Sequence, residues 1–131
     1  MSETVILLVD DEKTILDALR RQIAGLFDDR FVCETAQDVE EAREVLAELV
    51  DDDGVRVVLV VSDWLMPDVR GDAFLEEVQG RYPGIRRVML TGQADAAALE
   101  RVRAEALAHV LMFKPWREDE LRAAILGALD G

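Results

Sequence analysis

Four short motifs hold the side chains of this chain that could do chemistry together: Asp10-Asp11, Asp63-Trp64-Leu65-Met66-Pro67, Thr91-Gly92 and Lys114-Pro115-Trp116. Carboxylates brought within a few ångströms of one another raise each other's pKa, so a cluster of Asp10, Asp11 and Asp63 calls for a cation. Hard oxygen ligands in an open, partly hydrated cluster favour Mg²⁺, which takes one or two carboxylates and completes its shell with water and phosphate. Asp63 follows the run Val58-Leu59-Val60-Val61-Ser62 and so projects from the end of a buried strand. A carboxylate in that position can attack phosphorus and form an acyl phosphate. Thr91 would offer a hydroxyl, and Lys114 an ammonium, to the phosphoryl oxygens. Of the 15 basic residues only Lys13 and Lys114 are lysines. In a chain that otherwise uses arginine, a lysine before Pro115 points to a need for a compact point charge.

These residues can meet only if the elements between them bring strand ends to one edge. Thr4–Val9 is a continuous apolar run, as expected of a strand buried on both faces. Phe31–Thr35, Val55–Val61, Val88–Leu90 and Val110–Phe113 read as four more strands. Between and after them, apolar residues recur at helical spacing: Ile15 to Leu26, Val39 to Leu49, Phe74 to Val78, about Ala94 to Ala106, and Arg117 onward. The Asp51-Asp52-Asp53-Gly54 run is expected to end the second helix, and Gly80 with Pro83-Gly84 to break the third. Five β-α repeats predict an α/β fold, a doubly wound parallel sheet with helices on both faces. Ligands in such sheets sit at the carboxyl ends of the strands, where Asp10, Asp11, Asp63, Thr91 and Lys114 all fall.

Composition sets the outer limits. The 131 residues, 50% hydrophobic and 33% charged, fit one domain spanning 1–131 with a core that needs no disulfide. Cys33 has no cysteine partner, and with the lone His109 it gives too few ligands for a zinc site. No apolar run approaches the roughly 20 residues of a membrane span, and Met1–Thr4 lacks the positive region of a signal peptide, so a cytoplasmic location is expected. A net charge of -13 argues against direct contact with nucleic acid, which demands a lysine or arginine stripe. The densest acidic stretch, Glu34 to Asp53, reads as a solvated face with no chemistry.

In this order and at this spacing, the four motifs resemble the receiver (CheY-like) domains of two-component response regulators, over essentially the whole chain. The resemblance implies a flavodoxin-like sheet of strand order 2-1-3-4-5. It implies Asp63 as phosphoacceptor, Asp10 and Asp11 as the acidic pair at Mg²⁺, and the Leu65 backbone carbonyl as a further metal ligand. Thr91 matches the switch hydroxyl and Lys114 the phosphate-pairing lysine, with Pro115 after a cis peptide bond. It further implies a sensor histidine kinase or histidine phosphotransfer protein as donor, and output through the fourth helix, fifth strand and fifth helix. Such a domain is a switch, not an enzyme, since it catalyses only its own phosphorylation and dephosphorylation.

Three departures from the family pattern carry expectations. Leu111 stands where an aromatic usually rotates inward, leaving transmission to Thr91 and helix movement. Leu107-Ala108 replaces the usual Gly-Ala, so the end of the fourth helix is expected to be looser. Leu65 and Gln93 occupy positions that tune how water reaches the acyl phosphate. Taken singly, Asp10-Asp11 could be a helix cap, Thr91-Gly92 a turn and Lys114 a surface lysine. Trp116 reads as a packing or interface residue, His109 as a surface or satisfied histidine, and Cys33 as a small buried hydrophobe. Readings from other classes are a Mg²⁺-dependent phosphatase or phosphotransferase with Asp63 as turnover nucleophile, and a phosphorylation-independent binding module. The chain could be a stand-alone regulator or a receiver excised from a longer protein.

Overall fold

A computed structural model describes residues 4–92 and 96–130. Gln93 and the first residues expected of the fourth helix, Ala94 and Asp95, lie outside the described residues. The elements run β1 (Thr4–Val9), α1 (Lys13–Leu26), β2 (Val32–Ala36), α2 (Val39–Leu46), β3 (Arg56–Asp63), α3 (Gly71–Arg81), β4 (Arg86–Thr91), α4 (Ala96–Ala104), β5 (Val110–Phe113) and α5 (Glu118–Asp130). All strand pairs are parallel, in the order β2-β1-β3-β4-β5. The expected doubly wound sheet and its strand order are both present. No helix among the described residues is long and apolar enough to cross a membrane.

Alternation along each strand divides the core into two layers. Val5, Leu7 and Val9 of β1 face a layer built with Val39, Ala42, Leu46, Phe74, Leu75 and Val78. Ile6 and Leu8 face the opposite layer, with Leu16, Leu19, Ile23, Leu121 and Ile125. In β3 the alternation slips: Val57 and Val60 share the first layer while Leu59 and Val61 share the second. The cause is a register shift against β1, where Val5 pairs with Val57 but Ile6 pairs with Leu59. The extra residue, Val58, resets which side chains of β3 face which layer before the strand reaches Asp63.

One expectation needs correction. Gly80 does not break α3, which continues to Arg81 and is closed by the Tyr82 N–H donating to the Val78 carbonyl at 2.7 Å. A glycine inside a helix costs only about 1 kcal/mol, and the buried Phe74, Leu75 and Val78 outweigh it. Where the usual glycine is missing after α4, side chains hold the backbone. Ala106 takes the left-handed conformation that glycine would favour, with φ 51°. The carbonyls beyond the helix are held by side chains: Arg87 donates to Leu107 O at 2.8 Å and to Ala106 O at 3.4 Å, and Gln79 donates to Glu105 O and Ala106 O. The acidic second helix ends as α helix at Leu46 and continues as a π-helical turn over Ala47–Asp52. Its Asp51 accepts from both Arg81 and the Tyr82 hydroxyl, so this face is partly paired.

Candidate functional site

Asp10 follows β1, Asp63 ends β3 and Thr91 ends β4, while Lys114 follows β5. The parallel sheet therefore delivers them to one edge. Asp10 does not cap α1: Glu12 is the N-cap, and Asp10 Oδ1 instead accepts the Glu12 N–H at 2.8 Å, which turns the carboxylate into the site. Ligand oxygens from Asp10, Asp11 and Asp63 all lie within 4.8 Å of one another. Asp10 is fully buried and Asp63 nearly so, whereas Asp11 is exposed. An open pocket of about 450 Å³ is lined by Asp11, Glu12, Asp63, Trp64, Leu65, Gly92 and Lys114. Leu65 is 58% exposed, so an apolar side chain rims a polar pocket.

Lys114 bridges the two buried acids, with Nζ 2.9 Å from Asp10 Oδ2 and 3.2 Å from Asp63 Oδ1. Its backbone is pinned as well, the Lys114 N–H donating to Thr91 O at 2.8 Å before a cis bond to Pro115. Burial pushes both Asp10 and Asp63 above the usual carboxylate range. For Asp63 the neighbouring Asp10 charge adds to that rise, while Lys114 opposes it. Burial thus outranks the like-charge repulsion from which the sequence argument began. Burial is the largest single influence on the Lys114 ammonium and works against it, but the hydrogen bonds and charges of Asp10 and Asp63 together outweigh it and its pKa is raised.

Thr91 is fully buried, and its Oγ1 makes no hydrogen bond with any described residue. An orphaned buried hydroxyl costs roughly 1–3 kcal/mol. Such a cost calls for an acceptor that arrives with a ligand. Three hard carboxylate oxygen donors and an ammonium at the pocket, with an unused hydroxyl buried at the end of β4 next to its lining residue Gly92, fit a divalent cation together with a phosphoryl group.

Several residues that shape this site were not legible as such in the sequence. Gly71 donates its N–H to Trp64 O at 2.8 Å, and a Cβ there would collide with the Asp63 carbonyl oxygen. Only its place in a loop with Pro67 was a clue. Asp68 spans from the β3–α3 loop to the start of α2, accepting N–H bonds from Val39 at 3.1 Å and Glu40 at 3.0 Å. Of the other residues singled out, Leu111 is half-buried against the first core layer. Phe113 is 51% exposed and pairs with Thr91 in the sheet register. Trp116 donates from Nε1 to Gln22 Oε1 at 2.7 Å, a packing role. His109 is exposed and satisfied, its Nδ1 accepting the Arg87 N–H at 3.0 Å. Cys33 is half-buried rather than buried, and burial pushes its thiol up to about 11, so it is not a reactive thiolate.

A five-stranded 2-1-3-4-5 sheet with an acidic trio, a lysine and a hydroxyl at its carboxyl edge defines the receiver class. The family model for the response regulator receiver domain matches residues 6–126, and the chain belongs to that family. It is similar to the hydrogenase transcriptional regulatory protein HoxA of Cupriavidus necator, at 31% identity over 98% of this chain and 24% of that protein. It is also similar to the sensor kinase CckA of Brucella abortus, at 32% identity over 77% of this chain and 10% of that protein. The chain thus spans a quarter or less of the length of these curated relatives. Among solved structures, the signal receiver domain of an HD domain-containing protein from Pseudomonas fluorescens superposes with TM-score 0.84 at 29% identity, covering 98% of this chain and 95% of that one. A CheY-like receiver domain protein from Methanospirillum hungatei gives 0.82 at 27% identity, with the same coverage of both chains.

Proposed function

We propose that this domain is a phosphorylation-dependent switch in which Asp63 takes a phosphoryl group from a phosphohistidine of a sensor histidine kinase or histidine phosphotransfer protein. The reading rests above all on one observation: the shared Lys114 contact that holds Asp63 and Asp10 together, from a residue whose backbone N–H bonds the carbonyl of Thr91. Trp64 N–H and Lys114 both engage Asp63 Oδ1, leaving Oδ2 to attack. The new bond is Oδ2–P, the bond that breaks is P–N, and its electron pair stays on the donor imidazole. Asp10, Asp11, Asp63 and the Leu65 carbonyl are the ligands for Mg²⁺, whose role is to neutralise charge on the phosphoryl oxygens. Lys114 is freed from Asp63 to pair with one of those oxygens, and Thr91 donates its hydroxyl to another.

The product adds about -1.5 to -2 charge at pH 7, which the ammonium and hydroxyl must meet locally. Movement of Thr91 toward the phosphoryl group draws on β4 and the segment leading to α4. That helix buries only Ala98 and Val102, so little packing opposes its displacement. Output then passes to a downstream effector through α4, β5 and α5 in the cytoplasm. The domain acts on itself alone, without turnover on other phosphate esters.

Incubation with acetyl phosphate and Mg²⁺, followed by intact mass measurement, tests the assignment. Wild-type protein is expected to gain one phosphoryl group and D63N none. A D63N protein that gains phosphate at the wild-type level overturns it.

A further inference from the structure

Outside the acidic pocket, three side chains share one buried charge. Asp72, in the first turn of α3, has no exposed side-chain surface. Arg70 grips both of its oxygens, Nε to Oδ1 at 3.2 Å and Nη2 to Oδ2 at 2.8 Å. Arg101, from the middle of α4, donates Nη1 to the same Oδ2 at 2.7 Å. Burial alone would push the Asp72 carboxyl up, but the hydrogen bonds of both arginines, the Arg70 charge and the Ala73 N–H together outweigh it and hold the pKa below the usual value. The group is a carboxylate that depends on both guanidinium partners.

Arg70 also faces the phosphoacceptor segment. Its guanidinium lies 4.8 Å from the centroid of the Trp64 ring, within cation–π range. Trp64 is buried, adjoins Asp63, donates its N–H to Asp63 Oδ1 at 2.9 Å, and reaches Leu90 O at 3.0 Å. Gly71, between Arg70 and Asp72, packs directly on the Asp63 carbonyl. From the other side, Arg101 pairs with Glu76 of α3 at 2.8 Å and with Glu105 at 3.0 Å. In a helix with two buried residues, the pairs of Arg101 with Asp72 and Glu76 tie α4 to α3, while the Glu105 pair stays at the end of α4 itself.

We propose that Arg70, Asp72 and Arg101 form a positioning clamp for Asp63: a buried carboxylate shared between an arginine stacked on Trp64 and an arginine of α4, so that the phosphoacceptor segment and α4 are set together. The proposal rests on the reading of Asp63 as phosphoacceptor. Removing either arginine leaves a buried carboxylate undercompensated, so Asp72 and the remaining arginine must shift. The shift reaches Trp64 through Arg70 and α4 through Arg101. Coupling of this kind is reciprocal: whatever loosens α4 at Arg101 must alter binding at Asp63.

The test uses the whole chain in a W116F background, where Trp64 is the only tryptophan. Trp64 emission is recorded without ligand, and affinity for beryllofluoride with Mg²⁺ is then measured by titration. R101M is expected to shift the emission and to weaken beryllofluoride binding about fivefold or more. R101K keeps a charge on Asp72 and is expected to recover most of both signals. R70M combined with R101M should cost less than the product of the single effects, as expected for residues acting through one partner. The nearly isosteric D72N gives the same readouts should R101M not fold. If R101M speeds amide exchange in α4 yet leaves emission unchanged and affinity within about twofold, the clamp is only a helix tether and the proposal fails. Wild-type protein that does not bind beryllofluoride overturns the phosphoacceptor reading instead, and Trp64 emission without ligand still decides the clamp.

Discussion

Lys114 stands between Asp10 and Asp63 as their shared counter-ion, 2.9 Å from one and 3.2 Å from the other. Both acids are nonetheless raised from 3.8, first by burial, so folding favours their protonated forms. Their contribution to stability is full below pH 3.8 and is lost as pH rises through the raised values. A divalent cation binds the ionised acids and must compete with protons. The stabilisation on adding Mg²⁺, read as a rise in melting temperature, is therefore expected to grow between about pH 4 and pH 7, reaching about 2.7 kcal/mol of free energy at a hundredfold excess over Kd. D10N should abolish most of that gain. A Mg²⁺ effect independent of pH, or unchanged in D10N, would contradict this account of the pocket.

Thr91 carries a cost that should be measurable. Thr91→Val keeps the shape and removes the orphan hydroxyl, so chemical denaturation is expected to show the variant more stable by about 1 kcal/mol. The same variant should accept phosphate but lose the exchange changes in α4 that follow phosphorylation in the wild type. A destabilised Thr91→Val would mean that the hydroxyl has a partner in the resting protein.

Arg87 is only 4% exposed and donates to the Ile85, Ala106 and Leu107 carbonyls. Arg87→Met fills similar space but leaves those acceptors unpaired, and should lower stability by about 3 kcal/mol in urea unfolding. Amide exchange after α4 should rise in parallel. A variant within about 0.5 kcal/mol of wild type would show that water replaces the guanidinium without cost.

The contrast between Asp63 and Arg87 shows where sequence reading stops. Asp63, Asp10, Thr91 and Lys114 were legible because each directly ends or follows an apolar run, and a parallel sheet sends all such positions to one edge. Gly80 was misread because a breaker signal is local, while the three buried side chains that carry α3 through it act across the core. Arg87 and Asp72 were invisible for a related reason. In sequence each sits among ordinary surface charges, and besides one neighbour two residues away its partners are 19 to 29 residues distant. Burial of a charge is decided by the packing of other elements, so no local pattern announces it. Leu111 departs from the receiver pattern, and it stands half-buried against the first core layer.

Leu65 rims the pocket with an exposed apolar side chain. An apolar group there gives no hydrogen bond to orient an attacking water. Leu65→Asn supplies one and is expected to shorten the life of the acyl phosphate about tenfold, less than the roughly hundredfold or more of full general acid–base catalysis because an amide only orients the water. Loss of radiolabelled phosphate after removal of the donor measures it, and an unchanged rate would refute the role.

The central claim is that a phosphoryl group is carried on Asp63 as a mixed anhydride. Borohydride reduces an acyl phosphate to the alcohol, so treatment after phosphorylation converts the modified aspartate into homoserine, which peptide sequencing locates. The account predicts homoserine at position 63 in Mg²⁺ and none without it. Homoserine at Asp10 or Asp11, or at no position despite phosphate uptake, would contradict it.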